Sequence, residues 1–175
     1  SGKQAERKKE KTMSEEFRQR VELRVAKIID VQRHPKADKL YIEKIDLGTE
    51  QRQIVSGLVP HYSEEELLGH NIILVANLKP AKLRGEESQG MLLAAEDEDK
   101  VEVLFADHAQ PGERVILQGD KQEKGNQEKL GEIDIDTFFT IPLSVRENTV
   151  IAEDKPLVVS GKPVTTELIS NGKVG

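Results

Sequence analysis

The sequence NLKPAKLRGEESQGM, residues Asn77–Met91, separates one apolar run that ends at Ala76 from another that begins at Met91. It holds three cations within six positions: Lys79, Lys82 and Arg84. Its Pro and Gly residues favour turns. From Leu67 to Gly85 the chain contains no acidic residue. The sequence therefore predicts a basic loop between two strands, held in place by the rest of the chain.

Alternating apolar residues on both sides of this loop predict five strands. They span Val21–Val31, Leu40–Leu47, Gln53–Leu58, Asn71–Ala76 and Gly90–Ala95. A change of phase near Ala26 and Lys27 in the first strand predicts a β-bulge. Ser63 and Glu66 form the pattern of a capping box, and Gly69 can end the short helix that they begin. This helix falls between the third and fourth strands.

The order of these elements is that of the OB-fold, a five-stranded Greek-key barrel with one short helix. In that fold, two loops frame the ligand face: the loop between strands one and two, and the loop between strands four and five. Here these are Arg33–Lys39 and Asn77–Ser88, which are also the places where cations cluster with few acids. Two further short strands, Val101–Phe105 and Arg114–Leu117, follow the barrel strands.

The chain divides into three predicted parts. Residues 1–19 are Lys- and Glu-rich and predict a charged linker or tether, because such a segment buries too little apolar surface to fold alone. Residues 20–120 form the OB-fold, and residues 121–175 form a small C-terminal β extension packed on it, after a polar linker at Lys121–Gly131. Strands are predicted in the extension at Ile133–Leu143, Val150–Ala152, Pro156–Ser160 and Val164–Leu168. Turns are predicted at Ser160-Gly161 and Asn171-Gly172.

Composition excludes several classes of protein. The 175 residues contain no Cys, so neither a thiolate nucleophile nor a Cys-based zinc site can form. The four His residues show no metal-ligand spacing, and no phosphate-binding Gly loop precedes a helix. No apolar run approaches the length of a membrane span. We therefore expect a binding domain without catalytic residues, metal or cofactor.

The two predicted loops form a candidate RNA-binding groove. Six cations can contact phosphates, namely Arg33, Lys36, Lys39, Lys79, Lys82 and Arg84, although a solvated loop is the simpler reading of such a cluster. Asn77, Ser88 and Gln89 could read a base edge, and Met91 could lie against a base. Turn capping for Asn77 and Ser88, and a core position for Met91, are the alternatives. The only aromatic residue in the groove would be Tyr41, with His34 beside it, so we expect recognition of a folded RNA by shape and backbone.

The segments RVAKIID (24–30), HPKADKLYIEKIDLG (34–48), IVSGLV (54–59) and the loop 77–91 resemble the tRNA-binding domain of endothelial monocyte-activating polypeptide II. Similar domains occur in the yeast tRNA-binding synthetase cofactor and at the C-termini of some methionyl- and tyrosyl-tRNA synthetases. The resemblance implies an OB-fold that binds tRNA with little sequence preference and supplies it to a synthetase. We expect it to act in the cytoplasm, either in cis, as an appended domain of a methionyl- or tyrosyl-type synthetase, or in trans as a separate protein. It also implies that residues 132–175 cover the surface where bacterial relatives dimerise, which would leave a monomeric pseudo-dimer.

A second class of function remains open. The net charge of −6 argues against a general nucleic-acid binder. Cytokine activity of a secreted relative is attributed to a segment that Arg24–Asp30 resembles. The alternative is therefore a cytokine-like or protein-interaction module, with secretion of a processed form, although an inner barrel strand is the simpler interpretation of that segment.

Overall fold

The structure, a computed structural model, describes residues 10–121 and 128–175 and is mostly β. Three helices are present in these ranges: α1 (Met13–Arg20), α2 (Glu64–Leu67) and α3 (Ile135–Phe139). The strands of the first part are β1 (Leu23–Arg33), β2 (Tyr41–Asp46), β3 (Gln51–Ser56), β4 (Asn71–Val75), β5 (Ala81–Leu83), β6 (Glu86–Ser88), β7 (Met91–Leu92), β8 (Ala94–Asp97), β9 (Lys100–Val103) and β10 (Arg114–Leu117). The last part adds β11 (Leu143–Arg146), β12 (Thr149–Ala152), β13 (Lys155–Val159), β14 (Lys162–Pro163) and β15 (Asn171–Val174). Among the described residues, no helix is long and apolar enough to cross a membrane.

The long strand β1 organises the first part. Its N-terminal half pairs with β4 and β10, and its C-terminal half with β2, all antiparallel. The predicted bulge is present, but the register shifts between Ile28 and Asp30. The change of phase near Ala26 has another cause: Val25 and Ala26 are both fully buried, in two different core clusters. Both faces of β1 are therefore covered at this point.

One backbone and one side-chain hydrogen bond close the sheet where the strand ladder is incomplete. The strands run in the order β3-β2-β1-β4-β7. The last residue of β6 and the residue after it then return to β3: the Gln89 N–H donates to the Gln53 carbonyl at 2.8 Å, and the Val55 N–H donates to the Ser88 hydroxyl at 2.9 Å. An apolar cluster that includes Ile28, Ile45 and Leu74 lies inside.

The predicted strand Gly90–Ala95 is divided in two. β7 pairs with β4, whereas β8 pairs with β9 and β15, and Leu93 lies between them. The α2 prediction is confirmed: Ser63 and Glu66 form a capping box, and Gly69 follows the helix with a positive φ of 86°.

The C-terminal extension continues the sheet of the first part. In the extension the strands run in the order β13-β12-β11-β15. The first of these, β13, pairs with β10, and the last, β15, pairs with β8, so the extension is joined to the first part at both edges of its sheet. One apolar cluster contains residues of both parts, among them Val25 and Ile73 of the first and Val150 and Leu157 of the second. The extension thus packs on the first part through a common core.

Two predicted strands of the extension are wrong. Within Ile133–Leu143, Ile133 forms only an isolated bridge to Leu78, and a helix follows because the Asp134 carboxylate accepts the Thr137 N–H at 2.7 Å. Asx capping outweighs the alternation that suggested a strand. The Val164–Leu168 segment is irregular, because the buried Glu102 carboxylate accepts the backbone N–H groups of residues 167–169.

The predicted turn at Asn171-Gly172 is also wrong, since both residues belong to β15, between β11 and β8. A Cβ on Gly172 would collide with the carbonyl oxygen of Glu96. Glycine here permits close approach of two strands, which is a use that sequence alone does not distinguish from a turn. The other predicted turn is confirmed: Ser160 and Gly161 have φ of 50° and 74° between β13 and β14.

Residues 13–19, predicted as part of a charged linker, belong to the docked helix α1. Phe17 of α1 is 3% exposed and joins the shared core. The Ser14 N–H and hydroxyl both donate to Glu153, and Arg18 pairs with Asp120 at 2.8 Å. One buried aromatic and three polar contacts hold a segment whose composition is otherwise that of a linker. Residues 1–9, and residues 122–127 of the predicted second linker, lie outside the described ranges.

Candidate nucleic-acid interface

The basic loop contains a β-hairpin that the sequence did not reveal. β5 and β6 pair with Leu83 opposite Glu86, so Arg84 and Gly85 form a two-residue turn. Their φ angles are 52° and 90°. Positive φ at both central residues is the geometry of a type I′ turn, which matches the twist of the flanking strands. The guanidinium of Arg84 is therefore carried at the tip of a short hairpin.

The two loops predicted to frame the groove meet at this tip. The Arg84 Nη2 donates to the Lys36 carbonyl at 3.3 Å. His34 is 5% exposed, and its ring lies between the loops: Nδ1 accepts the Lys36 N–H at 3.0 Å, and Nε2 lies 3.1 Å from the Leu83 carbonyl. Because Nδ1 accepts, Nε2 carries the proton and donates. A neutral His34 therefore joins the hairpin to the first loop.

We call the six cations Arg33, Lys36, Lys39, Lys79, Lys82 and Arg84 the basic rim. All six side chains are exposed. Within residues 10–121 and 128–175, none of them forms an ion pair with a carboxylate. Lys82 does lie opposite Glu87 in the hairpin register, which lowers the local positive potential. Arg33 is the last residue of β1 and Lys82 belongs to β5, whereas the other four cations lie outside the strands. Exposed cations without an ion-pair partner on two adjoining segments suit the binding of phosphate groups.

Asn77 is a structural brace rather than an exposed contact. It is 8% exposed, its Oδ1 accepts the Glu22 N–H at 3.0 Å, and its amide nitrogen donates to the carbonyls of Arg20 and Gly131 at 2.8 Å each. These three bonds join the end of α1, the start of β1 and the segment that enters the extension. We therefore exclude Asn77 from the candidate contact surface.

The three other predicted base contacts are partly or fully engaged within the protein. Ser88 is 6% exposed, and its hydroxyl accepts from Val55 and donates to the Gly90 carbonyl at 2.9 Å, so it too is structural. Gln89 is half-buried, and its Oε1 accepts the Gln53 N–H at 3.0 Å. Met91 is half-buried against the shared core and lines a cleft beside the hairpin. The predicted contact of Gln89 and Met91 with RNA stays a prediction.

The aromatic residues expected in the groove are not available for stacking. Tyr41 is 2% exposed and donates its hydroxyl to the Tyr62 carbonyl at 2.6 Å, and His34 is buried between the loops. The exposed His61 instead lines the cleft. Sequence gave no signal for His61, because only the tertiary structure brings the segment after β3 to the hairpin.

Arg52 supports the base of the basic loop and was also missed. Its Nη1 donates to the carbonyls of Ala76 and Gln89, at 2.6 and 3.2 Å, on the two sides of the loop. Its Nη2 pairs with Glu50 at 3.0 Å, and this hydrogen bond lowers the pKa of Glu50. A cation engaged in this way positions the loop and is not free to bind phosphate.

The extension also holds the loop. The Lys79 N–H donates to the Ile133 carbonyl at 2.7 Å, and the Ile133 N–H donates to the Asn77 carbonyl at 3.0 Å. The next residue, Asp134, accepts the Thr137 N–H, which lowers the pKa of its carboxyl group, and the charge of Lys79 acts in the same direction. The extension thus fixes the start of the basic loop.

Comparison with known proteins identifies the family of this chain. Residues 23–114 match the family model described as "Putative tRNA binding domain". The chain belongs to the tRNA-binding domain family. The resemblance read from its motifs is confirmed, as is the expectation of a binding domain rather than an enzyme.

Relatives of this tRNA-binding domain occur within synthetases. The chain is 45% identical over 175 residues to a methionine–tRNA ligase of Treponema denticola, a match that covers 93% of this chain and 22% of the ligase. It therefore spans about a fifth of the length of that relative.

Among solved structures, the C-terminal domain of Plasmodium vivax p43 is similar, with a TM-score of 0.78 and 30% identity over 90% of this chain and 98% of that one. A protein of Pyrococcus horikoshii described as MetRS-related has a TM-score of 0.56 and 34% identity, over 62% of this chain and 99% of that one. The match to p43 extends into residues 121–175, because 90% of the chain exceeds the length of the first part.

Proposed function

We propose that this domain binds tRNA without catalysis, through phosphate contacts from the basic rim and the shape of the folded RNA, and supplies it to an aminoacyl-tRNA synthetase. The observation that carries the proposal is the contact of Arg84 with the Lys36 carbonyl, because it joins two cation-bearing loops into one surface. Family membership supports the same ligand. Phosphate contacts supply affinity but do not read sequence, so little preference among tRNAs is expected.

The scaffold of this surface, in our proposal, is an OB-fold over residues 20–120. The strand order β3-β2-β1-β4-β7 and its closure onto β3 agree with a five-stranded closed barrel. Residues 121–175 would then act as a second, dimer-like half, so that one chain suffices and the protein is a monomer. A synthetase-linked module of this kind would act in the cytoplasm.

We also propose that the domain acts in cis, as an appended part of a methionyl-type synthetase. The relatives with which it shares most of its length are methionine–tRNA ligases of which it matches a fifth. The cytokine-like alternative has less structural support: within Arg24–Asp30, the residues Arg24, Val25, Ala26 and Ile28 are buried in β1, which leaves Lys27 and Ile29 as its exposed side chains.

The test is a tRNA titration by fluorescence anisotropy over a range of salt concentrations. The triple variant Lys79→Ala, Lys82→Ala, Arg84→Asn should weaken binding, and the log–log salt slope should fall by about 2 to 3, at about 0.7–0.9 for each lost phosphate contact. The matched control, Lys100→Ala, Arg146→Ala, Lys162→Ala, removes the same charge from exposed cations outside the basic rim. If both variants weakened tRNA binding equally, the basic rim would not be the specific binding surface, and only a non-specific effect of charge would remain.

A further inference from the structure

A cleft of about 340 Å³ opens beside the basic rim. Leu83 of the hairpin and Met91 of β7 line it on the side of the first part, and Ile135 of α3 lines it on the side of the extension. Leu83 and Ile135 are 40% and 46% exposed. Large apolar side chains that line one cleft and remain in contact with water indicate a surface that another group covers.

Two serine residues also line the cleft, and one of them can accept a hydrogen bond. Ser56 lines the cleft and donates its hydroxyl to the buried Glu43, so the lone pairs of the Ser56 oxygen can still accept. Ser88 also lines the cleft, but its hydroxyl already accepts and donates within the protein. Of these two serine residues, Ser56 is therefore better able to accept a hydrogen bond from a ligand N–H.

One cation, Lys79, is among the described residues that line the cleft. Lys79 and His61 line the cleft, and the side chains of both are exposed. Glu96, also exposed, is the one carboxylate side chain among the lining residues in the described part of the chain. It can accept a hydrogen bond from an amino group. The cleft thus combines apolar walls, hydrogen-bond acceptors and a cation that adjoins the rest of the basic rim.

These features fit a flat heterocycle attached to a phosphate. The volume lies at the low end of about 300–1,000 Å³ that is typical of ligand clefts, which suits one ring system. Unstacked bases of folded RNA are bound in this way, by apolar contact with the ring and hydrogen bonds to its edge. An aliphatic side chain of a partner protein would use the apolar lining but neither the hydrogen-bond acceptors nor Lys79.

We propose that this cleft receives one unpaired nucleobase of the bound tRNA, held between Leu83 and Met91 on one side and Ile135 on the other. The proposal rests on the proposed function and deepens it, because it makes the extension part of the RNA-binding surface. It assigns the exposed Ile135 of α3 a role that covering the sheet does not require.

The first test detects the base directly by methyl NMR of the full chain. Adenosine 5′-monophosphate should shift the Met91 and Ile135 methyl resonances at millimolar concentration, whereas ribose 5-phosphate, which lacks the base, should not. Equal shifts with both compounds would show a phosphate site and overturn the proposal. Shifts with a poly-glutamate peptide but not with the nucleotide would overturn it in favour of an acidic protein partner.

The second test uses tRNA and two variants of exposed residues, Leu83→Ser and Ile135→Ser. Each should weaken tRNA binding about 3- to 10-fold without changing the salt slope, because no cation is removed. Leu68→Ser is the matched control, since Leu68 is 52% exposed and does not line the cleft. Its affinity should equal that of the unmodified protein.

The outcomes separate the two proposals. If the unmodified protein binds tRNA through the basic rim but both cleft variants bind equally well, the base subsite is wrong and the proposed function stands. If the unmodified protein does not bind tRNA at low salt, the proposed function itself is wrong, and the base subsite fails with it.

Discussion

The hydroxyl of Ser56 lies within hydrogen-bond distance of both carboxyl oxygens of Glu43, at 2.7 Å from one and 3.0 Å from the other. Glu43 lies on β2, faces the inside of the sheet and is fully buried. Burial raises the pKa of Glu43 to about 8, and the hydrogen bond from Ser56 only partly opposes this. A buried carboxyl group without a cationic partner favours its neutral form.

Stability should therefore fall as pH rises through the neutral range. The native state binds the Glu43 proton more tightly than the unfolded chain, so this contribution is full below about pH 4.5 and is lost as pH passes about 8. The Glu43→Gln variant has a side chain that stays neutral at every pH. Between pH 6 and pH 9, its free energy of unfolding should therefore fall by about 2–3 kcal/mol less than that of the unmodified protein. Urea unfolding at several pH values measures this. The free energy of unfolding of the exposed Glu167→Gln variant should depend on pH as that of the unmodified protein does. If the Glu43→Gln variant showed this same pH dependence, a buried neutral carboxyl group at Glu43 would be contradicted.

The turn at the hairpin tip allows charge and backbone to be separated. Asn is favoured at positive φ in type I′ turns, so Arg84→Asn should keep the fold while lowering tRNA affinity about 3- to 10-fold at low salt. Arg84→Val removes the same charge but places a β-branched residue at φ of 52°, which should cost about 1–3 kcal/mol of stability. Thermal unfolding and tRNA titration of both variants measure the two effects. Normal tRNA affinity of the folded Arg84→Asn variant would argue against a phosphate contact at the tip.

His34 should affect RNA binding without contacting RNA. His34→Ala removes the bond from the ring to the Leu83 carbonyl of the hairpin and the bond that the ring accepts within its own loop, so we expect a loss of about 1–2 kcal/mol of stability and weaker tRNA binding. The salt slope should stay unchanged, because the number of cations that contact phosphates is the same. Amide hydrogen exchange of residues 81–88 should become faster. A lower salt slope would instead indicate a direct phosphate contact by His34.

Asn77 distinguishes a brace from a base contact. Asn77→Ala leaves the Glu22 N–H and the carbonyls of Arg20 and Gly131 without their partner, so we expect a loss of about 2–4 kcal/mol of stability. Affinity for tRNA, measured where the variant is still folded, should stay close to that of the unmodified protein. Denaturant unfolding and anisotropy titration provide the two values. Normal stability with weak binding would restore Asn77 to the RNA-contact set.

Local sequence patterns correctly predicted the elements that depend on near neighbours. Alternation along residues 40–47 predicted β2, and the Ser63–Glu66 spacing predicted the capping box, because the interactions responsible lie within a few residues of each other. The same patterns failed in the extension, where the side chain of Asp134 caps a helix and the distant Glu102 shapes residues 167–169. An interaction between positions 65 residues apart leaves no periodic signal.

For the candidate site, the sequence determined which charges exist and that they fall in two turn-forming segments, since cation type and Pro or Gly content are local properties. Tertiary structure decided which side chains of the candidate site remain exposed. Lys82 and Arg84 are exposed on a hairpin, whereas Asn77 and Ser88 are buried and form hydrogen bonds with backbone N–H and carbonyl groups. It also decided that His61 and Ile135, distant in sequence, line one cleft. The physical reason is that burial depends on how the whole chain packs. The hydrogen-bond partners of buried backbone groups also come from segments that are distant in sequence, so no single segment reveals them.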